Sequence, residues 1–240
     1  LDGRPETQIT DHENWDLYPD WSPGGERMIF VSDRDGSLFK IFIANSDGGG
    51  AQLLVDQPII LDSQYSPVIG SLVSRWSPDG DRIAYLAEGE EALALWTVGA
   101  DGNDKRKVLD NATGFDWYLD SRRGLYTRNH GAETELIAID LGTGEERSLF
   151  VGPFIEIDVA PDGSAVAFCL GQGHMAMGLA VLPLEPSSDG LPRAVGEPRY
   201  VVETTGTWHV HNGGWSADSQ QIVYTRDMDY GDIFELVERR

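Results

Sequence analysis

The sequence is nearly without cysteine: Cys169 stands alone among 240 residues. A single thiol forbids an internal disulfide and supplies no thiolate pair for a metal. Set in the apolar run Ala167-Phe168-Cys169-Leu170, it reads as a buried structural thiol. Lysine is almost as scarce, with only Lys40, Lys105 and Lys107 among 18 basic residues that face 40 acidic ones, for a net charge of −22. No basic cluster is present, so phosphate-backbone recognition is excluded and no nucleic-acid partner is expected. Docking on anionic lipid is excluded on the same ground. The acid-rich, lysine-poor balance suits a surface kept solvated in concentrated salt, where self-repulsion is screened. No apolar run approaches the roughly 20 residues of a membrane span, so no membrane insertion is expected. Catalytic signatures are missing as well. There is no Gly-x-Ser-x-Gly nucleophile elbow, no Walker spacing and no dinucleotide fingerprint.

What the sequence does have is glycine, 28 residues of it, and a repeat. Five ten-residue segments align: Trp21–Phe30 (WSPGGERMIF), Trp76–Tyr85 (WSPDGDRIAY), Trp117–Tyr126 (WYLDSRRGLY), Val159–Phe168 (VAPDGSAVAF) and Trp215–Tyr224 (WSADSQQIVY). Their anchors are 55, 41, 42 and 56 residues apart. Each opens on a large apolar residue and closes nine positions later on Phe or Tyr, with a turn-forming stretch between. The anchor ends one strand, the turn reverses the chain, and an alternating stretch forms the next. A third apolar strand follows each unit, at 41–43, 93–96, 136–138, 179–182 and 233–236. A more polar fourth strand follows in four units, at 52–55, 106–109, 147–150 and 200–202.

No segment carries a convincing helical period, and the expected fold is all-β: a β-propeller of four-stranded blades in one domain spanning 1–240. Five blades are expected, at about 15–55, 72–110, 113–150, 153–203 and 209–238. A sixth would need a degenerate blade in the connections 56–73 or 185–199. The last unit lacks a fourth strand, and residues 3–10 have fourth-strand character. Pairing them with the last blade would close the ring and remove two open edges.

Trp76-Ser77-Pro78-Asp79-Gly80, with Asp20-Trp21-Ser22-Pro23 and Phe30-Val31-Ser32-Asp33-Arg34-Asp35-Gly36, resembles the repeat of TolB-like propellers (the WD40-like PD40 repeat) over nearly the whole chain. Blades 3 and 4 depart from that motif at Tyr118-Leu119 and Val159-Ala160. The resemblance implies a protein or peptide partner and a periplasmic or extracellular location. Similar blades also occur in peptidase gating domains and polysaccharide lyases.

Propellers bind at the mouth of the central channel, where the innermost strands converge. The residues just before the anchors are Asp20, Arg75, Asp116, Asp158 and Gly214. Three carboxylates and one guanidinium near the axis make either a ligand site or a set of bridges between blades. The second candidate is Trp208-His209-Val210-His211, whose two histidines at i, i+2 project to one face of a strand with spacing for one divalent metal ion. That His-x-His resembles the metal-binding segment of oligogalacturonate lyases, in which a Gln three residues earlier and a further His complete the set. Here Gly206 stands in the Gln position, and the third histidine would be His174 or His130. The alternating acids of Asp227–Asp232 and Asp33–Asp35 read as hairpin-turn chemistry, and Gly171–Gly178 as a glycine-rich hairpin. The expected binding residues are therefore Asp20, Arg75, Asp116, Asp158, Trp208, His209 and His211, with no catalytic set. No cofactor is expected unless a divalent ion is held by His209 and His211.

Overall fold

The computed structural model describes residues 6–36, 38–59, 73–89, 92–171, 177–204, 208–228 and 235–236. Of 208–209, 212, 227–228 and 235–236 it describes the backbone only. Each repeat becomes one antiparallel sheet, and the strands fall where the two-residue alternation predicts. Blade 1 is β1 (Asp16–Trp21), β2 (Arg27–Ser32), β3 (Lys40–Asn45) and β4 (Gln52–Val55). Blade 2 is β5 (Ser74–Trp76), β6 (Arg82–Glu88), β7 (Leu93–Gly99) and β8 (Arg106–Asp110). Blade 3 is β9 (Gly114–Tyr118), β10 (Arg123–His130), β11 (Glu133–Asp140) and β12 (Glu146–Gly152). Blade 4 is β13 (Phe154–Val159), β14 (Ala165–Gly171), β15 (Met177–Glu185), a short extra β16 (Arg193–Ala194) and β17 (Arg199–Val202). Blade 5 is β18 (Trp208–Trp215), β19 (Ile222–Met228) and β20 (Glu235–Leu236).

Within each sheet the strands pair in sequence order, except that in blade 4 both β16 and β17 pair with β15, and the five sheets are arranged as an all-β propeller. Strands β1, β5, β9, β13 and β18 are innermost. Blades 3 and 4 are as regular as the others despite their divergent motifs. No sixth blade lies in the described part of either long connection: 185–199 holds only β16, and 60–72 are outside the described residues. No helix among the described residues is long and apolar enough to cross a membrane.

Alternation along β2, β6, β10, β14 and β19 gives each sheet two apolar faces, and the packing follows one rule. The aromatic that closes a repeat faces the preceding blade, while its neighbour one residue earlier faces the next. Tyr85 joins Ile29, Val31, Ile41 and Ile43 of blade 1. Tyr126 joins Ala84, Leu86 and Leu95 of blade 2. Phe168 joins Tyr118, Leu125 and Leu136 of blade 3, and Tyr224 joins Ala165, Ala167 and Cys169 of blade 4. Burying one such ring contributes about 2–3 kcal/mol, so each seam is chiefly a hydrophobic contact.

The expected pairing of residues 3–10 with the last blade falls in part outside the described residues. Residues 6–10 carry no strand, and β18-β19-β20 form a three-stranded sheet among the described residues; residues 3–5 lie outside them. Ile9 packs on blade 1, against the cluster of Met28, Phe30, Phe42 and Ala44. The physical reason is that this face of blade 1 is the one every other blade buries against its predecessor, and the opening segment supplies the cover. Farther along, the segment is tied down by Trp15 N–H donating to Asp33 Oδ1 at 3.0 Å and Asn14 Nδ2 donating to the Asp33 carbonyl at 3.0 Å. Arg34 finishes the cover, with its guanidinium 4.6 Å from the Phe30 ring and bonded to both Asp16 oxygens at 2.8 Å.

Candidate functional site

The innermost strands bring Asp20, Arg75, Asp116 and Asp158 together. The Arg75 guanidinium is 3.6 Å from Asp20 Oδ1, 3.6 Å from Asp158 Oδ1 and 4.0 Å from Asp116 Oδ1. It is shared among three carboxylates rather than bonded closely to one. The other oxygen of each carboxylate reaches into the following blade. Trp76 N–H donates to Asp20 Oδ2, Val159 N–H to Asp116 Oδ2 and Trp215 N–H to Asp158 Oδ2, each at 2.7 Å. One oxygen of each aspartate thus stitches a seam while the other faces the guanidinium.

Arg75 has no carboxylate to offer blade 3, so that seam is held differently. The Trp117 indole donates to the Arg75 carbonyl at 3.2 Å, and Trp117 N–H turns back to Asp116 Oδ1 at 2.9 Å. Both readings drawn from the sequence therefore have a geometric basis: the four residues converge, and three of them bridge blades.

Burial dominates the electrostatics. Desolvation lifts the Asp116 carboxyl to about 7, helped by the charge of Asp158 and opposed by Arg75 and the backbone N–H groups. Asp20 and Asp158 are raised for the same first reason and held back first by Arg75. Three acids around one base leave a surplus of negative charge, which their burial makes costly to keep.

His211 lies elsewhere along the innermost strands. Its Nδ1 is 3.6 Å from Oε1 of Glu156, a β13 side chain only 4% exposed. The other oxygen, Glu156 Oε2, accepts the Cys169 thiol at 3.2 Å. Glu156 sits at a register shift between Ile155 and Ile157 with φ of 58°, a left-handed conformation that an L-residue adopts at a cost of about 1–2 kcal/mol. That bulge turns its carboxylate into the seam between blades 4 and 5. Burial first, and the Glu156 charge second, push the Cys169 thiol far up. Nothing in the repeat singles Glu156 out; the only signal was an acid two residues ahead of Asp158 on a strand expected to be innermost.

Trp208 and His209 lie on β18, where they pair with Met228 and Asp227 of β19, and their side chains fall outside the described residues. His174 also lies outside them. His130 ends β10, the second strand of blade 3, with its Nδ1 3.7 Å from Glu135 Oε2. Among the described residues no group of three or more His, Cys, Asp or Glu is placed to hold a metal ion.

No protein-family model matches the sequence. Among solved structures, TolB from Acinetobacter baumannii superposes with a TM-score of 0.69 over 95% of this chain and 55% of its own, at 13% identity. A TolB from Agrobacterium tumefaciens superposes equally well, at TM-score 0.69 over 95% of this chain and 74% of its own, with 17% identity. The fold is a TolB-like propeller. An oligogalacturonate lyase in complex with manganese shares it at TM-score 0.60 and 16% identity, over 92% of this chain and 61% of its own. In sequence, this chain is 30% identical over 155 residues to YuxL of Bacillus subtilis, named as an uncharacterized peptidase, and 32% identical over 109 residues to dipeptidyl-peptidase 5 of Porphyromonas endodontalis. Those matches take in 62% and 43% of this chain but only 21% and 14% of the two peptidases.

Proposed function

We propose that this TolB-like propeller is a non-enzymatic binding platform for a protein or peptide segment at the axial mouth framed by Asp20, Arg75, Asp116, Asp158, Trp208, His209 and His211. The observation that carries the reading is the Arg75 guanidinium held among three carboxylates that are themselves anchored by seam hydrogen bonds at 2.7 Å. Polar groups fixed in this way do not have to be ordered when a ligand arrives, which lowers the cost of binding. The same resemblance supports a periplasmic or cell-surface setting. Two of the sequence relatives are named as peptidases, which agrees with a peptide as the ligand.

The test is a calorimetric titration with an arginine-bearing tetrapeptide and its glutamate-bearing counterpart. The basic peptide is expected to bind in a salt-sensitive manner, and to lose most of its affinity when Asp116→Asn and Asp158→Asn are combined. Equal binding of both peptides, or of neither, overturns the reading.

A second reading has its own support. Glu156 lies 3.6 Å from His211 Nδ1 and can hold the ring so that Nε2 acts as acceptor, and an oligogalacturonate lyase with manganese shares the fold. On this reading the protein is a carbohydrate-active lyase in which His209 and His211 hold a divalent ion. The metal would neutralise a uronate carboxylate while a base removes the neighbouring proton. Elemental analysis of the purified protein and a thermal shift on adding manganese or zinc separate the two readings. Metal-free protein with no shift rejects the lyase.

A further inference from the structure

Arg75 faces three acids and closes on none of them. Its Nη1 is 3.6 Å from Asp20 Oδ1, its Nη2 3.6 Å from Asp158 Oδ1 and its Nε 4.0 Å from Asp116 Oδ1, all beyond hydrogen-bond reach. Pairs elsewhere in the molecule are tighter: Arg34 meets Asp16 at 2.8 Å, and Arg122 meets Asp140 at 2.8 Å. The four side chains of the ring are only 13–23% exposed. Water therefore screens little of the repulsion among the carboxylates, yet each keeps some contact with solvent.

Among the described residues no second base relieves them. The charged groups that face Asp116 are Arg75 of β5 and Asp158 of β13, with Asp20 of β1 across the guanidinium. Glu156, the other acid of β13, is turned into the seam toward Cys169 and His211. Strand β18 brings Gly214 to this level, which carries no charge. On β10 the residue opposite Asp116 is Leu125, and the basic side chains of that strand are engaged elsewhere: Arg123 with Asp120, and Arg128 and His130 with Glu135. On β6, Arg82 is bonded to Asp104, and Glu88 lies at the exposed end of the strand.

Three carboxylates around one guanidinium leave two negative charges unmatched. A proton held between Asp116 and Asp158 cancels one of them, the usual outcome when like charges share a poorly solvated site. Desolvation pushes all three acids in that direction. A guanidinium or ammonium group entering the ring cancels the same charge, so the ring reaches the same net charge with either one.

We propose that the ring takes up its cationic ligand in exchange for a proton shared by Asp116 and Asp158. The ligand group is a side chain with one permanent positive charge, such as the guanidinium of a peptide. This rests on the binding-platform reading above and adds the regulation of that site: affinity is low in acid and rises as the pair ionises. One proton leaves for solvent as one cation arrives, and no covalent bond to carbon changes. The seam bonds at 2.7 Å use the other oxygen of each aspartate, so the exchange leaves the blades in place.

The test titrates the full chain with the arginine-bearing tetrapeptide, blocked at both ends so that its guanidinium is its only charge and does not itself titrate. Calorimetry at pH 6 in two buffers of different ionisation enthalpy is expected to show release of about one proton per peptide. Affinity is expected to rise about tenfold between pH 5 and 6 and to level off above pH 8. Asp116→Asn, an uncharged isostere that still offers the Val159 N–H an acceptor, is expected to bind weakly and equally from pH 5 to 8. A slope that survives in this variant places the titration on His209 or His211 and overturns the proposal. Equal binding by the parent at pH 5 and 8 with no proton released also overturns it, and leaves the platform reading standing. No binding at any pH overturns both. One measurement needs neither ligand nor variant: the carboxyl-carbon resonances of the free protein are expected to include an aspartate that titrates at about pH 7. Aspartate titrations all complete below pH 5 overturn the proposal.

Discussion

Asp158 and Trp215 bond to each other twice across a seam: Trp215 N–H donates to Asp158 Oδ2 at 2.7 Å, and the Trp215 indole donates to the Asp158 carbonyl at 3.1 Å. Side chain and backbone of one blade are thereby matched to backbone and side chain of the next. Replacing Asp158 with Ala leaves the Trp215 N–H without its acceptor and Arg75 with one carboxylate fewer, a loss of about 2 kcal/mol. Asp158→Asn keeps an acceptor while relieving the crowding of three acids, so it should cost less than half as much. Urea unfolding of the two variants against the parent reads the difference.

The ring also predicts how stability depends on pH. Asp116 has a folded-state value of about 7 against 3.8 for the ordinary group, so between these values the folded protein holds a proton that the unfolded chain has released. Stability from this group is therefore full below about pH 4 and is lost as pH rises toward 7. Asp20 and Asp158, also raised, act in the same direction. Asp140 opposes them: the Arg122 guanidinium holds it down at about 2, so its contribution is present above about pH 4 and lost below. Melting temperatures from pH 4 to 7 are expected to fall, and Asp116→Asn to flatten that slope.

Gly48 tests the cover over blade 1. Its φ is +84°, and a Cβ there would collide with the Ile9 carbonyl. Gly48→Ala is expected to destabilise by about 1–2 kcal/mol through the left-handed backbone alone. The collision adds a further effect, displacement of the opening segment. Limited proteolysis should show faster cleavage within 6–14 in the variant. Gly131, at φ +66° with nothing near its Cβ position, is the control that carries the backbone cost only.

Cys169 is 1% exposed, and its thiol is pushed far up by burial and by Glu156. A disulfide reagent at pH 8 is expected to leave the folded protein unmodified and to react fully once urea unfolds it. Glu156→Gln removes a charge beside the thiol and the pairing with His211, so the labelling rate in the absence of urea should rise. A rate that stays fixed would show that Glu156 does not hold this seam closed.

The five repeats were legible because they rest on local rules. Two-residue alternation sets the strand, and Ser-Pro-Asp-Gly or its relatives set the turn, as in the Gly80 N–H donating to the Ser77 carbonyl at 2.9 Å. Third and fourth strands at 41–43, 136–138, 52–55 and 106–109 fell inside or on β3, β11, β4 and β8 for the same reason. The two-residue β16 carries too little pattern to be seen in advance.

The convergence of Asp20, Arg75, Asp116 and Asp158 was legible as well, since each immediately precedes an anchor. The sequence by itself therefore determined the sheets, their order and the four residues that meet near the axis. Only the tertiary structure decided that each aspartate divides its two oxygens between a seam and Arg75, that Glu156 turns at a bulge toward Cys169 and His211, and that Ile9 covers blade 1. Those outcomes depend on contacts between residues about a dozen to about eighty positions apart, and no local period encodes which of two apolar faces a passing segment will cover.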